Sequence, residues 1–296
     1  MNDNKTNINW YPGHMAKTKR QMIDDLKLVD LVIEILDARI PVASRNPDLA
    51  QYIKDKKKII VLNKSDLADE KYTNDWIRYY KDRGMNVVAI EANSKKGISS
   101  LLKMIKDVNS DIQQKYVLKG RTGYVSKAMI FGIPNVGKST VINSLSGKKT
   151  AKVENRPGVT KQKQWIKITD NIQLMDTPGM LWPKFENEEI AMHLAFTNSI
   201  GQNAIDVEEV AFYLLKYLIS NYKSNVENRY HIEITDDIDL LSDNFYIVDI
   251  RDAIAKKNGC IISGGNVDET KISNLILNDF QSGRFGKITI ERPEDF

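Results

Sequence analysis

The chain has 296 residues, room for two domains at the usual ~100–200 residues apiece, each large enough to bury a core. With 42% hydrophobic and 28% charged residues and a formal charge of +4, the composition is that of an ordinary globular protein and excludes disorder, collagen and a membrane bundle. One cysteine, Cys260, excludes an internal disulfide and a zinc site built on several cysteines. The most apolar stretch, Leu28–Leu36, carries Asp30 and Glu34 and falls far short of the ~20 apolar residues of a spanning helix. With the polar, Asn-rich opening Met1–Trp10, this gives the expectation of a cytoplasmic protein with no membrane contact.

In chain order, β-branched runs predict strands at Leu31–Leu36, Lys58–Leu62, Val87–Ile90, Ala128–Phe131, Trp165–Ile168 and Ile172–Met175. Helical spacing lies between them: Met22, Leu26 and Val29, then Tyr72–Arg83, then Ile98, Leu101, Leu102, Ile105 and Val108. This alternation predicts an α/β fold with a mostly parallel sheet. The polar stretch Ser110–Val125 reads as a connector between two α/β halves. After Pro183 the pattern turns helical, with a stripe from Val207 to Leu218 and further helices at Phe245–Lys257 and Thr270–Phe280, joined through the turn NGCIISGGN. The expected division is residues 1–183 and a smaller, mainly helical domain of residues 184–296.

Gly132-Ile-Pro-Asn-Val-Gly-Lys-Ser139 has the spacing of a phosphate-binding loop, and it follows a predicted strand and opens a helix at Thr140. In that context backbone N–H groups from Asn135 to Thr140, Val136 and Gly137 among them, cradle phosphates. Lys138 reaches the β/γ oxygens, and the Ser139 hydroxyl is placed for Mg²⁺. Asp176-Thr-Pro-Gly179 follows the last strand. Alone it is ordinary turn chemistry, but behind a phosphate loop Asp176 reads as a group for the Mg²⁺ shell and Gly179 as an N–H for the γ-phosphate.

Asn63-Lys64-Ser65-Asp66 closes the second predicted strand. A carboxylate such as Asp66 accepts from the N1–H and 2-amino group of guanine, whereas adenine would set acceptor against acceptor, so the motif predicts GTP and GDP rather than ATP. Ser94-Lys95, by itself an ordinary loop pair, would complete the base pocket. Thr160 lies between the phosphate loop and Asp176 in Lys148–Lys167, a segment with seven basic residues and one acid. That segment reads either as a solvated loop or as a switch ordered by the γ-phosphate, with Thr160 on Mg²⁺.

The base-reading segments precede the phosphate-reading ones, the reverse of the usual GTPase order. A circular permutation explains this, with the usual ends joined through Ser110–Val125. It also puts Asp176–Gly179 directly before the helical domain, so GTP is expected to reorient that domain.

The permuted order, Trp10-Tyr-Pro-Gly-His-Met15 and Asp279-Phe-Gln-Ser-Gly-Arg-Phe-Gly-Lys-Ile-Thr-Ile-Glu291 together resemble the bacterial ribosome biogenesis GTPase A (YlqF/RbgA) family, circularly permuted GTPases of the TRAFAC class, over essentially the whole chain. The resemblance implies GTP hydrolysis stimulated by the large ribosomal subunit, binding to its precursor through rRNA and ribosomal proteins, and action as a monomer late in assembly. Met180-Leu181 stands where many GTPases carry a water-orienting Gln. The family suggests His14 for that role, though a His in a Pro-Gly-His turn is equally open to a structural reading. Asn135 resembles the phosphate-loop Asn that binds K⁺ in potassium-activated GTPases. A binding module that GTP merely stabilises is the alternative, and a tRNA-modifying or translation-factor GTPase a third, less supported by the absence of a further catalytic domain.

The near-neutral total hides a division. Residues 1–183 hold 32 Lys+Arg and 19 Asp+Glu, a balance of +13, while residues 184–296 hold 11 and 20, a balance of −9. The first part has the charge of an RNA-facing surface. The second needs a local basic patch such as Arg284–Lys287 to touch RNA.

Overall fold

Leu31–Asp37 forms a strand, β1, whose seven residues are all buried, as expected for a strand covered on both faces. The computed structural model describes residues 20, 22–47, 49–53, 56–147, 164–177, 187–201, 206–237 and 243–296. The other strands are β2 (Lys57–Asn63), β3 (Asn86–Ala89), β4 (Ser126–Phe131), β5 (Gln164–Thr169) and β6 (Ile172–Asp176). All six lie where the β-branched runs predict them, within two residues at each end. They form one sheet in the order β3-β2-β1-β4-β6-β5, parallel throughout except where β5 runs antiparallel to β6.

The order grows outward in one direction from β1 to β3 and in the other from β4 to β6. The crossovers therefore reverse between β1 and β4, and the crevice beyond the carboxyl ends of these strands is where such sheets bind ligands. The register pairs Asp37 with Asn63 at the ends of β1 and β2, so both open onto that crevice.

The first helices are α1 (Leu49–Tyr52), α2 (Glu70–Asp82), α3 (Ile98–Val117) and α4 (Lys138–Ser146). Met22, Leu26 and Val29, in and just after a helical stretch at 22–27, pack with Val32, Leu49, Met129, Phe131 and Met175 on one face of the sheet. On the same face, toward β3, Trp76 and Tyr80 of α2 pack with Leu36, Ile60, Leu62 and Val87, which the register sets in line with Val32 and Met129.

One expectation is corrected here. Ser110–Val125 is not a connector throughout, because α3 continues to Val117: Ile112 extends the buried stripe of Ile98, Leu101, Ile105 and Val108, while the polar residues that mask the period face outward. The joint itself is short and pinned. The rings of Tyr116 and Tyr124 stack 3.7 Å apart, both hydroxyls donate to the Asp30 carboxylate at 2.9 Å, and the Lys127 N–H donates to it at 3.0 Å.

The chain divides into two compact units, Met1–Glu186 with Thr289–Phe296, and Asn187–Ile288. The second is helical: α5 (Glu188–Phe196), α6 (Val207–Tyr230), α7 (Asn244–Lys257) and α8 (Glu269–Gln281). The side chains of Asn187, Asp206, Asp243 and Asp268 each accept a first-turn N–H, starting each helix with a side-chain cap. Inside this unit Asp279 is fully buried and accepts from Arg229 at 2.8 Å, Tyr230 at 3.1 Å and Arg284 at 2.9 Å. Arg284, expected as a surface contact for RNA, stays exposed while its guanidinium pairs with the buried Asp279. No helix among the described residues is long and apolar enough to cross a membrane.

The expected second domain of residues 184–296 differs from this division at its end. Thr289–Phe296 belong to the first unit, because their backbone and buried polar side chains bond to Arg39, Val42, Ala43, Asp69 and Trp76.

Candidate functional site

The carboxyl ends of β1, β2, β4 and β6 deliver Asp37, Asn63, Gly132 and Asp176 to one crevice. The loop leaving β4 passes close to β1: a Cβ on Gly132 would lie 2.6 Å from the Ile35 carbonyl oxygen, so no larger residue fits without a shift. Asn135 adopts φ +61° and Gly137 φ +94°, left-handed conformations that wrap the loop before α4 starts. No side chain caps α4. The first-turn N–H groups, with the positive end of the helix dipole, are thus presented at the loop, the arrangement that binds phosphate.

Lys138 is buried and donates from Nζ to the Ile133 carbonyl at 2.8 Å, which curls the side chain back over the loop. Burial pushes its ammonium down to about 8, against the opposing pull of the Asp176 carboxylate. Burial raises the Asp176 carboxyl, with Lys138 and the Thr177 N–H drawing it back. Asp176 Oδ1 is buried and has no hydrogen-bond partner. Thr177 Oγ1 donates to the Ile130 carbonyl at 2.6 Å and so fixes Asp176 beside β4. An orphaned carboxylate oxygen on a group whose charged neighbour is Lys138, the residue before Ser139, suits a hard divalent cation, since oxygen donors are what Mg²⁺ takes.

Asn63 joins the two reading halves. Its Nδ2 donates to the Val136 carbonyl at 2.7 Å, and its Oδ1 accepts from the Ala92 N–H at 3.2 Å. One amide thus ties the phosphate loop to the segment that carries Ser94 and Lys95. Ser144 of α4 adds a second tie, donating to the Ala92 carbonyl at 3.0 Å. A Cβ on Gly137 would run into the Asn63 amide, so glycine is required there for packing as well as for φ.

Lys64 adopts φ +61°, and its Nζ lies 3.0 Å from Asp37 Oδ2. Burial lowers the Lys64 ammonium against the attraction of Asp37. Burial would raise the Asp37 carboxyl, but Arg39 and Lys64 hold it well below the usual carboxylate range. Arg39, itself buried, grips Asp37 in a fork, Nε to Oδ1 and Nη2 to Oδ2, both 2.9 Å. Ser65 donates through both its N–H and its hydroxyl to the Ile90 carbonyl, and Asp66 is exposed at the mouth. Ser94 donates to Glu91 at 2.9 Å, and Lys95 at φ +66° completes a tight turn closed by the Glu91–Lys96 bridge.

Among the described residues the crevice therefore gathers Asn63, Lys64, Asp66, Ser94, Lys95, Asn135, Val136, Gly137, Lys138, Ser139, Thr140 and Asp176 around the loop and the strand ends. His14, Thr160 and Gly179 lie outside the described residues, as do Trp10–Met15 and Met180-Leu181.

Two family models match the chain, one described as RsgA GTPase over residues 48–186 and one as 50S ribosome-binding GTPase over residues 127–249. The first span takes in the base-reading and the phosphate-reading segments in their permuted order. The chain is 42% identical over 290 residues to ribosome biogenesis GTPase A of Bacillus cereus, covering 98% of this chain and 95% of that one. The chain belongs to the ribosome biogenesis GTPase A family.

The Thermotoga maritima member is 30% identical over 97% of this chain and 95% of its own. A GDP-bound structure of YlqF from that organism superposes with a TM-score of 0.66 at 27% identity, covering 93% of this chain and 100% of that one. This places the circularly permuted GTPase fold on the family's own structure.

Asp37 and Arg39 were absent from the residues expected at the site. The signal was available: Asp37, like Asp176, is an acid closing a buried strand, with a basic residue two positions on.

Proposed function

We propose that this protein hydrolyses GTP to GDP and phosphate, binds the precursor of the large ribosomal subunit in its GTP form, and leaves once hydrolysis is complete. The Asn63 amide carries the reading: it couples the guanine-selecting segment to the phosphate loop, so base and phosphates are sensed as one unit. Asp66 selects guanine, with Ser94 and Lys95 closing the base pocket. Lys138 and the first-turn N–H groups of α4 hold the β- and γ-phosphates and stabilise charge developing on the leaving oxygens. Ser139 and Asp176, with Thr160, would hold Mg²⁺, whose chemistry is to neutralise the bridging phosphate charge. Asp176 Oδ1, buried and unpartnered, supports that assignment.

His14 orients the attacking water when the arm engages the particle, and Gly179 meets the γ-phosphate. Asn135, left-handed at φ +61°, offers a neutral amide oxygen of the kind K⁺ accepts, so turnover is faster in K⁺ than in Na⁺. The +13 balance of residues 1–183 supports rRNA as the surface bound. The protein acts in the cytoplasm as a monomer.

The test is co-sedimentation with purified large subunits in GDP and in a non-hydrolysable GTP analogue over a salt series, run beside turnover of wild type and His14→Ala. Binding should favour the analogue and weaken steeply with salt, and His14→Ala should lose stimulated turnover while keeping its affinity for GTP. Nucleotide-independent sedimentation would refute the cycle. A hydrolysis-dead variant that matures and leaves the particle normally would favour the GTP-stabilised binding module instead.

A further inference from the structure

The last eight residues, Thr289–Phe296, return to the first unit, and they reach the guanine-reading segment from both of its flanks. On the near flank Glu291, buried, receives the N–H groups of Val42 at 2.6 Å and Ala43 at 3.0 Å on its carboxylate. The N–H groups of Ile290 and Glu291 donate to the Arg39 carbonyl at 2.9 and 3.3 Å. Arg39 in turn grips Asp37, and Asp37 holds Lys64. On the far flank Thr289 Oγ1 accepts from the Asp69 N–H at 2.9 Å, and Asp69 is the cap of α2, three residues beyond Asp66. Trp76 of α2 donates from Nε1 to the Glu291 carbonyl at 2.8 Å, and its ring packs 6.0 Å from that of Phe296.

We infer that Thr289 and Glu291 are positioning residues for guanine selection: the tail braces the Asn63–Asp66 segment between Arg39 and the cap of α2, and thereby sets where the Asp66 carboxylate stands. This rests on the reading of Asp66 as the group that meets N1–H and the 2-amino group. Neither tail residue touches the base. They act through the frame, by hydrogen bonds from backbone N–H groups to a buried carboxylate and a buried hydroxyl, whose loss leaves those donors unsatisfied.

The role predicts an effect on selectivity as well as on affinity. Guanine offers Asp66 two donors and hypoxanthine only one. A displaced Asp66 therefore costs GDP more than IDP. The experiment uses the full chain with Glu291→Gln, the nearly isosteric Thr289→Val, and Asp66→Asn, titrated with GDP, IDP and XDP, with melting curves alongside. Both tail variants should raise the dissociation constant for GDP about tenfold, the order expected for losing a hydrogen bond to a buried charged or polar acceptor. They should raise that for IDP less, so that the GDP-over-IDP preference shrinks.

Asp66→Asn should turn preference toward XDP, whose 2-oxo group complements an amide donor. If Asp66→Asn behaves so while Thr289→Val and Glu291→Gln keep the wild-type preference, the tail proposal is overturned and the site reading stands. If Glu291→Gln does not fold, Thr289→Val decides alone. If Asp66→Asn leaves GDP over XDP unchanged, the reading of Asp66 fails and the proposal with it.

Discussion

Replacing Asn63 by alanine removes two bonds at once and exposes nothing to compensate. Asn63 is 2% exposed, and its amide serves the Val136 carbonyl at 2.7 Å and the Ala92 N–H at 3.2 Å. A buried donor or acceptor left unpaired costs about 1–3 kcal/mol, so two of them amount to roughly 2–6 kcal/mol, the lower end applying if water enters the space left by the side chain. Part of this falls on folding, because both orphaned groups are buried without nucleotide. The rest falls on binding, since the phosphate loop and the Ala92 segment are no longer held in one register, and a loss of about 1.4 kcal/mol there is tenfold in the dissociation constant.

Asn63→Asp sharpens the prediction, being the same shape. One carboxylate oxygen can still accept from Ala92, but the other faces the Val136 carbonyl, acceptor against acceptor. The aspartate variant should therefore bind GDP no better than the alanine one. The assay is equilibrium titration of GDP with urea unfolding on the same preparations. Wild-type affinity in Asn63→Asp would refute the reasoning, because it would mean that the donated bond to Val136 does not hold the loop.

Further outcomes follow from the loop and the helix it opens. Burial brings the Lys138 ammonium to about 8, well below an ordinary lysine, so the nucleotide-free protein loses this charge as pH rises past that value, and the GDP dissociation constant should climb toward tenfold per pH unit between about 8 and 9. In Lys138→Arg, whose charge persists, the slope should vanish, and titrations from pH 7 to 9 check this. The same shift makes a folding prediction of the opposite sense, since the unfolded chain keeps the proton to higher pH and the fold gains stability across that window. Gly137→Ala should abolish GDP binding, because its Cβ meets the Asn63 amide at φ +94°, whereas Gly147→Ala at φ +67° has open space and should cost only about 1–2 kcal/mol of stability, read by thermal melting with GDP titration.

The strands were legible because a parallel sheet buried on both faces demands unbroken β-branched runs, and Leu31–Leu36 and Lys58–Leu62 carry them. The phosphate loop was legible because its chemistry is local, glycines and a lysine at fixed spacing before a helix. The second half of α3 was masked: Asp111, Gln114 and Lys115 face outward and dilute the period that Ile112 continues. The return of the tail was not legible at all. Glu291 bonds to residues about 250 positions earlier through their backbone N–H groups, and backbone partners leave no trace in side-chain pattern. Asp37 and Arg39 are intermediate, written in the sequence as an acid at a strand end but without meaning until Lys64 is seen beside them.

The permuted order gains a physical sense from the way the chain leaves and re-enters the first unit. It leaves at Glu186, ten residues beyond Asp176 at the end of β6, and returns at Thr289, which bonds to the cap of α2 beside the Asn63–Asp66 segment. The helical unit Asn187–Ile288 is therefore inserted within the sequence of the first unit, a position that a domain appended to one end of the chain would not have. Its two connections run to the strand that ends at Asp176 and to the tail that bonds beside Asn63–Asp66. The division of charge gives the two units different surfaces to offer a partner, basic where the nucleotide is read and acidic where the helices lie. The second unit is thus joined to the first at two points of the chain, one after the strand that carries Asp176 and one before the tail that braces α2.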